Sequence, residues 1–124
     1  MTGIRKWIVL VAALSLGSAE AGDWVPREEA LKNLASGYAF MTLCSVHGFA
    51  DTKAVAMLGE AYKRRMNPSS YEVFRDQYQR SLTKKRIYTI AGKRWIPFKI
   101  GRQECNTVDR SAEIYLSRLS PDHL

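Results

Sequence analysis

The apolar positions of the chain fall into four stretches of helical period and one stretch of alternating period. Leu31, Leu34, Tyr38 and Met41 recur at i, i+3, i+7 and i+10, one face of a helix read from about Arg27 to His47. Phe40, Leu43, Cys44 and Val46 widen that stripe, so this helix is expected at the centre of the fold. Pro26 suits a first helical turn, where no N–H is needed, and Glu28 and Glu29 suit the positive end of the helix dipole. Ala35-Ser36-Gly37 is a notch of small residues. Gly37 weakens the helix by about 1 kcal/mol relative to Ala, which close approach of a neighbouring backbone would explain. Gly48 ends the helix.

Asp51 is a good N-cap for a second helix, from about Thr52 to Met66, with Val55, Leu58, Tyr62 and Met66 on one face. Lys63-Arg64-Arg65 closes it at the negative end of the dipole. Asn67-Pro68 breaks the chain, and Ser69 with Glu72 matches a capping box. A third helix follows from Ser70 to about Lys85, with Tyr71, Phe74, Tyr78 and Leu82 inward.

The period then changes from helical to alternating. Ile87–Ile90, a turn at Ala91-Gly92-Lys93-Arg94, and Trp95–Ile100 read as a β-hairpin, the alternative being an extended loop. Tyr88 and Ile90 share one face; Ile96, Phe98 and Ile100 share another. Pro97 is tolerated because both strands are edges. A lone hairpin is marginal in water, so its apolar faces are expected on the helices. A last helix runs from about Gln103 to Leu119, with Cys105, Val108, Ala112, Tyr115 and Leu119 on one face. Asn106 with Asp109 is an alternative start, and Pro121 ends it. The expected fold is mainly α: a small four-helix domain with a short β-hairpin between the third and fourth helices, stapled by one disulfide.

The N-terminus adds a compartment. Arg5 and Lys6 precede an uncharged run from Trp7 to Leu16, and Ala19-Glu20-Ala21 supplies small residues at the −3 and −1 positions. This is the pattern of a signal peptide at residues 1–21, cut after Ala21. The apolar run is shorter than the ~20 residues a membrane helix needs. Residues 22–124 then form a single small helical domain, exported to the periplasm or fully secreted, without a transmembrane anchor. Cys44 and Cys105, 61 positions apart, are the only cysteines, and in an exported chain two cysteines read as a disulfide.

Charge is the one uneven feature. The formal net charge is +7, and loss of Arg5, Lys6 and Glu20 with the leader leaves +6. No acidic residue occurs between Asp76 and Glu104, an interval that holds Arg80, Lys84, Lys85, Arg86, Lys93, Arg94, Lys99 and Arg102. Tyr88, Trp95 and Phe98 interleave with them. Cations among aromatics suit an anionic partner. The binding residues expected on this basis are Arg86, Tyr88, Lys93, Arg94, Trp95, Lys99 and Arg102. The plainer alternative is a solvated surface whose lysines and arginines keep the hairpin edges from pairing with other chains. Trp95 faces outward if Ile96, Phe98 and Ile100 face the core, and is core if the register is reversed.

The remaining chemistry is sparse. Cys44 and His47 lie three apart on a helix, a thiolate–imidazole spacing; pairing of Cys44 with Cys105 excludes it. His47 with Asp51 and the remote His123 supply too few ligands for a metal. No H-E-x-x-H, G-x-S-x-G or glycine-rich phosphate loop occurs. We expect no catalytic residue, no metal and no cofactor. The expectation is a non-enzymatic exported binding protein that contacts an anionic partner, a protein or envelope component, with nucleic acid disfavoured by export. The plan of leader, small helical domain and one long-range disulfide is similar to that of periplasmic acid-stress chaperones. It is also similar to that of small periplasmic immunity proteins that neutralise secreted toxins. These likenesses are of plan, not of motif, and they imply a stress chaperone or an immunity-type protein as the alternative function.

Overall fold

The computed structural model describes residues 22–119. The stretch 1–21 read as a leader, the cleavage expected after Ala21, Pro121 and His123 lie outside the described residues. Among the described residues four helices and one antiparallel hairpin follow in order: α1 Glu28–Val46, α2 Thr52–Arg65, α3 Pro68–Lys84, β1 Arg86–Thr89, β2 Arg94–Pro97 and α4 Val108–Arg118. Among the described residues no helix is long and apolar enough to cross a membrane.

α1 is the central helix. It packs on α3 and β1 and, less extensively, on α2, while α4 packs chiefly on α2. The aromatic residues of three helices meet around Tyr38. Its ring lies 5.8 Å from that of Tyr62 on α2, and 6.2 and 5.2 Å from those of Phe74 and Tyr78 on α3. Tyr62 and Phe74 are each 2% exposed and close the set at 5.0 Å. Edge-on and tilted ring pairs of this kind contribute about 0.5–1.5 kcal/mol each beyond their buried area. Burial raises the pKa of the Tyr38 phenol from 10.0 to about 12, with Tyr78 adding to the effect. The more deeply buried Tyr62 is pushed up further.

The helix ends follow local chemistry. At the end of α1, Gly48 takes a left-handed φ of +82°. Its N–H reaches the Ser45 carbonyl at 3.0 Å, and the Phe49 N–H reaches the Cys44 carbonyl at 2.8 Å. This double closure satisfies two carbonyls that the helix leaves over, and it needs a residue without a Cβ penalty. Asp51 caps α2 as expected, its carboxylate accepting the Lys53 N–H at 2.9 Å. In addition, the Asp51 N–H donates to the Asp109 carboxylate at 2.6 Å, tying the start of α2 to that of α4.

Three boundaries differ from the expectation. Pro26 stands just before the Arg27 cap of α1, not in its first turn. α3 starts at Pro68, capped by Asn67, whose side chain accepts the Ser69 N–H at 2.9 Å; the Ser69–Glu72 box is not used. Proline, which lacks an N–H, fits a first helical position, so Asn67-Pro68 opens a helix where it was read as a break. α4 starts at Val108, not near Gln103. Its approach closes once over four residues, Cys105 to Gly101 at 3.0 Å, and then twice over three, Asn106 to Gln103 at 3.3 Å and Val108 to Cys105 at 3.1 Å, so no regular helix is established there.

The disulfide joins Cys44 and Cys105, with Cα atoms 5.7 Å apart and exposures of 0% and 1%. It therefore links α1 to the turns that precede α4, not to the helix itself. The first described residues are also tied down. Trp24 forms a parallel bridge with Met66, and its ring lies 6.4 Å from that of Tyr62.

Candidate functional site

The hairpin is held on α1 by its backbone. Ser36, wholly buried in the small-residue notch, accepts the Tyr88 N–H at 2.9 Å, and the Asn33 amide donates to the Tyr88 carbonyl at 2.8 Å. These two bonds complete one edge of β1, which β2 does not reach. They account for the small residue at 36, where a bulky side chain would push the strand away; at Gly37 an added Cβ would meet only the tip of Ile87, at 4.0 Å. The register pairs Ile87 with Ile96 and Tyr88 with Trp95. Since the Tyr88 N–H and carbonyl turn to α1, Tyr88 and Trp95 are a non-hydrogen-bonded pair, whose side chains lie close. Their rings meet edge to face at 5.2 Å.

This register corrects the expected faces. Tyr88 is only 7% exposed and is core, so its side chain belongs to the packing and not to an outer surface. Trp95 is half-buried against it. Ile96 is 36% exposed, and β2 ends at Pro97, so Ile96, Phe98 and Ile100 form no continuous inward face. Phe98 instead meets Phe40 at 5.1 Å, and its N–H bonds the Lys85 carbonyl at 2.9 Å.

The cations surround this frame. Arg80, Lys84, Lys85, Lys93, Arg94, Lys99 and Arg102 are exposed and Arg86 is half-buried. Among the described residues only one of these eight forms a salt bridge, Arg80 with Asp76 at 3.1 Å. The Arg86 guanidinium lies 5.5 Å from the Trp95 ring centre, and that of Arg102 lies 5.6 Å from the Phe49 ring centre. Lys85 and Lys93 have left-handed φ values of 54° and 53°. Glycine or asparagine would adopt that conformation more easily. In the hairpin loop the left-handed position falls on Lys93, beside Gly92 rather than at it.

Structure divides the predicted residues. Arg86 and Trp95 line a cleft of about 210 Å³ together with Lys32 of α1 and Gln77, Arg80, Ser81 and Lys84 of α3. Lys93 and Arg94 stand at the hairpin tip, and Lys99 and Arg102 on the connection to α4, outside that cleft. Sequence reading missed Lys32 and Gln77, because Lys32 lies far upstream of the basic interval and only the packing of α1 on α3 brings it there. The Arg86 Nε is buried and has no hydrogen-bond partner among the described residues. Lys32 has a long contact to Glu28 at 3.9 Å and lies 5.2 Å from the Tyr88 ring centre.

The other candidates resolve simply. Cys44 is held in the disulfide and offers no thiolate; His47 is the exposed cap of α1. Among the described residues no group of three or more His, Cys, Asp or Glu side chains converges as a metal site would require. No protein-family model, curated protein or solved structure gives a significant match to the chain.

Proposed function

We propose that this is a non-enzymatic exported binding protein that uses the basic segment from Arg80 to Arg102 to engage an anionic partner, a protein or another envelope component. One observation carries the reading. Seven of the eight cations in an interval without acidic residues have no salt-bridge partner among the described residues. Like charges so concentrated repel one another, and an acidic surface would relieve that repulsion. The exposed isoleucines of the hairpin, Ile90 at 44% and Ile96 at 36%, add apolar contact area beside the charges. The buried disulfide is compatible with export, where such bonds persist.

The test separates local placement from net charge. Lys93→Glu, Arg94→Glu and Lys99→Glu together are compared with Lys53→Glu, Arg75→Glu and Arg110→Glu, exposed residues elsewhere on the fold. The two triple variants carry the same net charge. Envelope components retained by the immobilised oxidised protein at low salt should be lost from the first variant and kept by the second. Equal loss from both would reduce the binding to general charge and end the reading.

A further inference from the structure

We propose that the cleft between α1, α3 and the hairpin is a subsite for a phosphoryl group, a single phosphate or phosphate ester. The proposal deepens the basic-segment reading and rests on it. Four cations line the cleft, Lys32, Arg80, Lys84 and Arg86, and no carboxylate does. They come from three elements, so the convergence is a product of the tertiary fold. Glu28 approaches Lys32 and Asp76 approaches Arg80 from outside the lining. The Asp76–Arg80 pair is exposed on both sides and the Glu28–Lys32 contact is long, 3.9 Å to an exposed carboxylate, so both i,i+4 pairs hold their partners weakly.

Arg86 is the sharpest element. A guanidinium binds an oxyanion through parallel N–H bonds from its planar fork, and Nε supplies one edge of that fork. Here Nε is buried and lacks an acceptor among the described residues; it does not itself open to the cleft, so the guanidinium would engage an oxyanion there through its terminal N–H groups. The Trp95 ring, 5.5 Å from the guanidinium carbon, orients the group and forms an apolar wall. A dianion matches several converging cations better than a single carboxylate would. Gln77 and Ser81 add polar lining. The volume of about 210 Å³ lies below the ~300 Å³ at which pockets for drug-sized ligands begin. It suits one phosphoryl group and a few attached atoms. Lys84 also faces the negative end of α3, which accounts for that cation without a ligand. Lys32 and Arg86 belong to other elements and have no such explanation.

The test is an NMR titration of the oxidised protein with inorganic phosphate and with glycerol phosphate, at constant ionic strength set with chloride. The Arg86 Nε–H and Trp95 indole signals should shift and saturate, while the Trp24 indole, which does not line the cleft, stays in place. Arg86→Gln should weaken binding about tenfold or more, the loss of a charge-assisted hydrogen bond. Arg86→Lys should recover only part of it, since the charge returns without the fork. If Arg86→Gln fails to fold, Lys32→Gln combined with Lys84→Gln gives the same reading from the cleft rim. Shifts that spread over the exposed lysines without saturating, or that chloride alone reproduces, would overturn the proposal.

Phosphatidic acid vesicles, whose headgroup is a phosphate monoester, compared with phosphatidylcholine vesicles, distinguish the source. Vesicle binding that glycerol phosphate competes away identifies a lipid headgroup, and ester binding without vesicle binding identifies a soluble ester. The two levels of the reading fail separately. If cleft variants leave phosphate binding unchanged while Lys93, Arg94 and Lys99 reversal still loses the envelope partner, only the subsite is wrong. If phosphate saturates the cleft and that reversal changes nothing, only the surface reading is wrong.

Discussion

Reducing the disulfide should remove a large part of the stability of this fold. The cross-link closes a loop of 61 positions. In the chain-entropy treatment this restricts the unfolded ensemble by about 4 kcal/mol at 25 °C. A domain of this size has about 5–15 kcal/mol in all, so reduction would remove from about a quarter to most of it. Reduction of the unaltered chain is the cleanest perturbation. Cys44→Ser would also place a hydroxyl where exposure is 0%, and a buried polar group without a partner costs about 1–3 kcal/mol more. At a urea dependence of about 2 kcal/mol per molar, reduction should lower the unfolding midpoint by about 2 M. The melting temperature should fall by about 20 °C. The assay is circular dichroism across a urea series, with and without reductant, with thiol counts confirming each state. Midpoints that agree within a few tenths of a molar would refute the reasoning. They would mean that the unfolded chain is already restricted without the bond.

Three further outcomes follow from particular residues. A methyl added at Gly59 would overlap the Tyr38 hydroxyl, so Gly59→Ala should destabilise by about 1–3 kcal/mol despite alanine's better helix propensity, and Tyr38→Phe in the same chain should recover part of the loss; urea melts of the single and double variants check this. Lys85→Gly and Lys93→Gly should each raise stability by about 1 kcal/mol, because both lysines sit at left-handed φ; loss of stability in either would show that the side chain contributes contacts that outweigh the backbone strain. Above about pH 10 stability should decline, since the unfolded chain releases the Tyr38 proton near 10.0 while the folded chain holds it to about 12. The contribution is whole below the unfolded pKa and is lost as pH rises through the folded one, with Tyr62 acting in the same direction. Denaturant melts between about pH 8 and 12 should show a slope that Tyr38→Phe reduces.

The helices were legible because their apolar residues repeat at the right period, and Asp51 and Gly48 mark termini by mechanisms local to the chain. The disulfide was legible from the count of two cysteines taken with the expectation of export. The start of α4 was not, since the turns from Gly101 to Val108 use the same short-range bonds as a helix but mix three- and four-residue closures. The hairpin faces were ambiguous because alternation does not say which side is inward. That choice is made by Ser36 and Asn33, some fifty residues upstream, which accept and donate at Tyr88. Lys85 and Lys93 gave no sign of their left-handed conformation, since lysine is not a residue type that marks it. In the candidate site the cations of the basic interval were visible as a run, but a run does not define a concave surface. Lys32 and Gln77 enter it only through the packing of α1, α3 and the hairpin.

The closed loop between the cysteines contains the most exposed turn of the hairpin, Ile90 to Arg94, where Lys93 and Arg94 offer cleavage points to a trypsin-like protease. A cut there would leave both pieces covalently joined. The nicked protein would run as one species without reductant and as two fragments with it, and each half of the fold would still be held near the other. Damage at this exposed turn would thus be concealed from any measurement of size made under oxidising conditions.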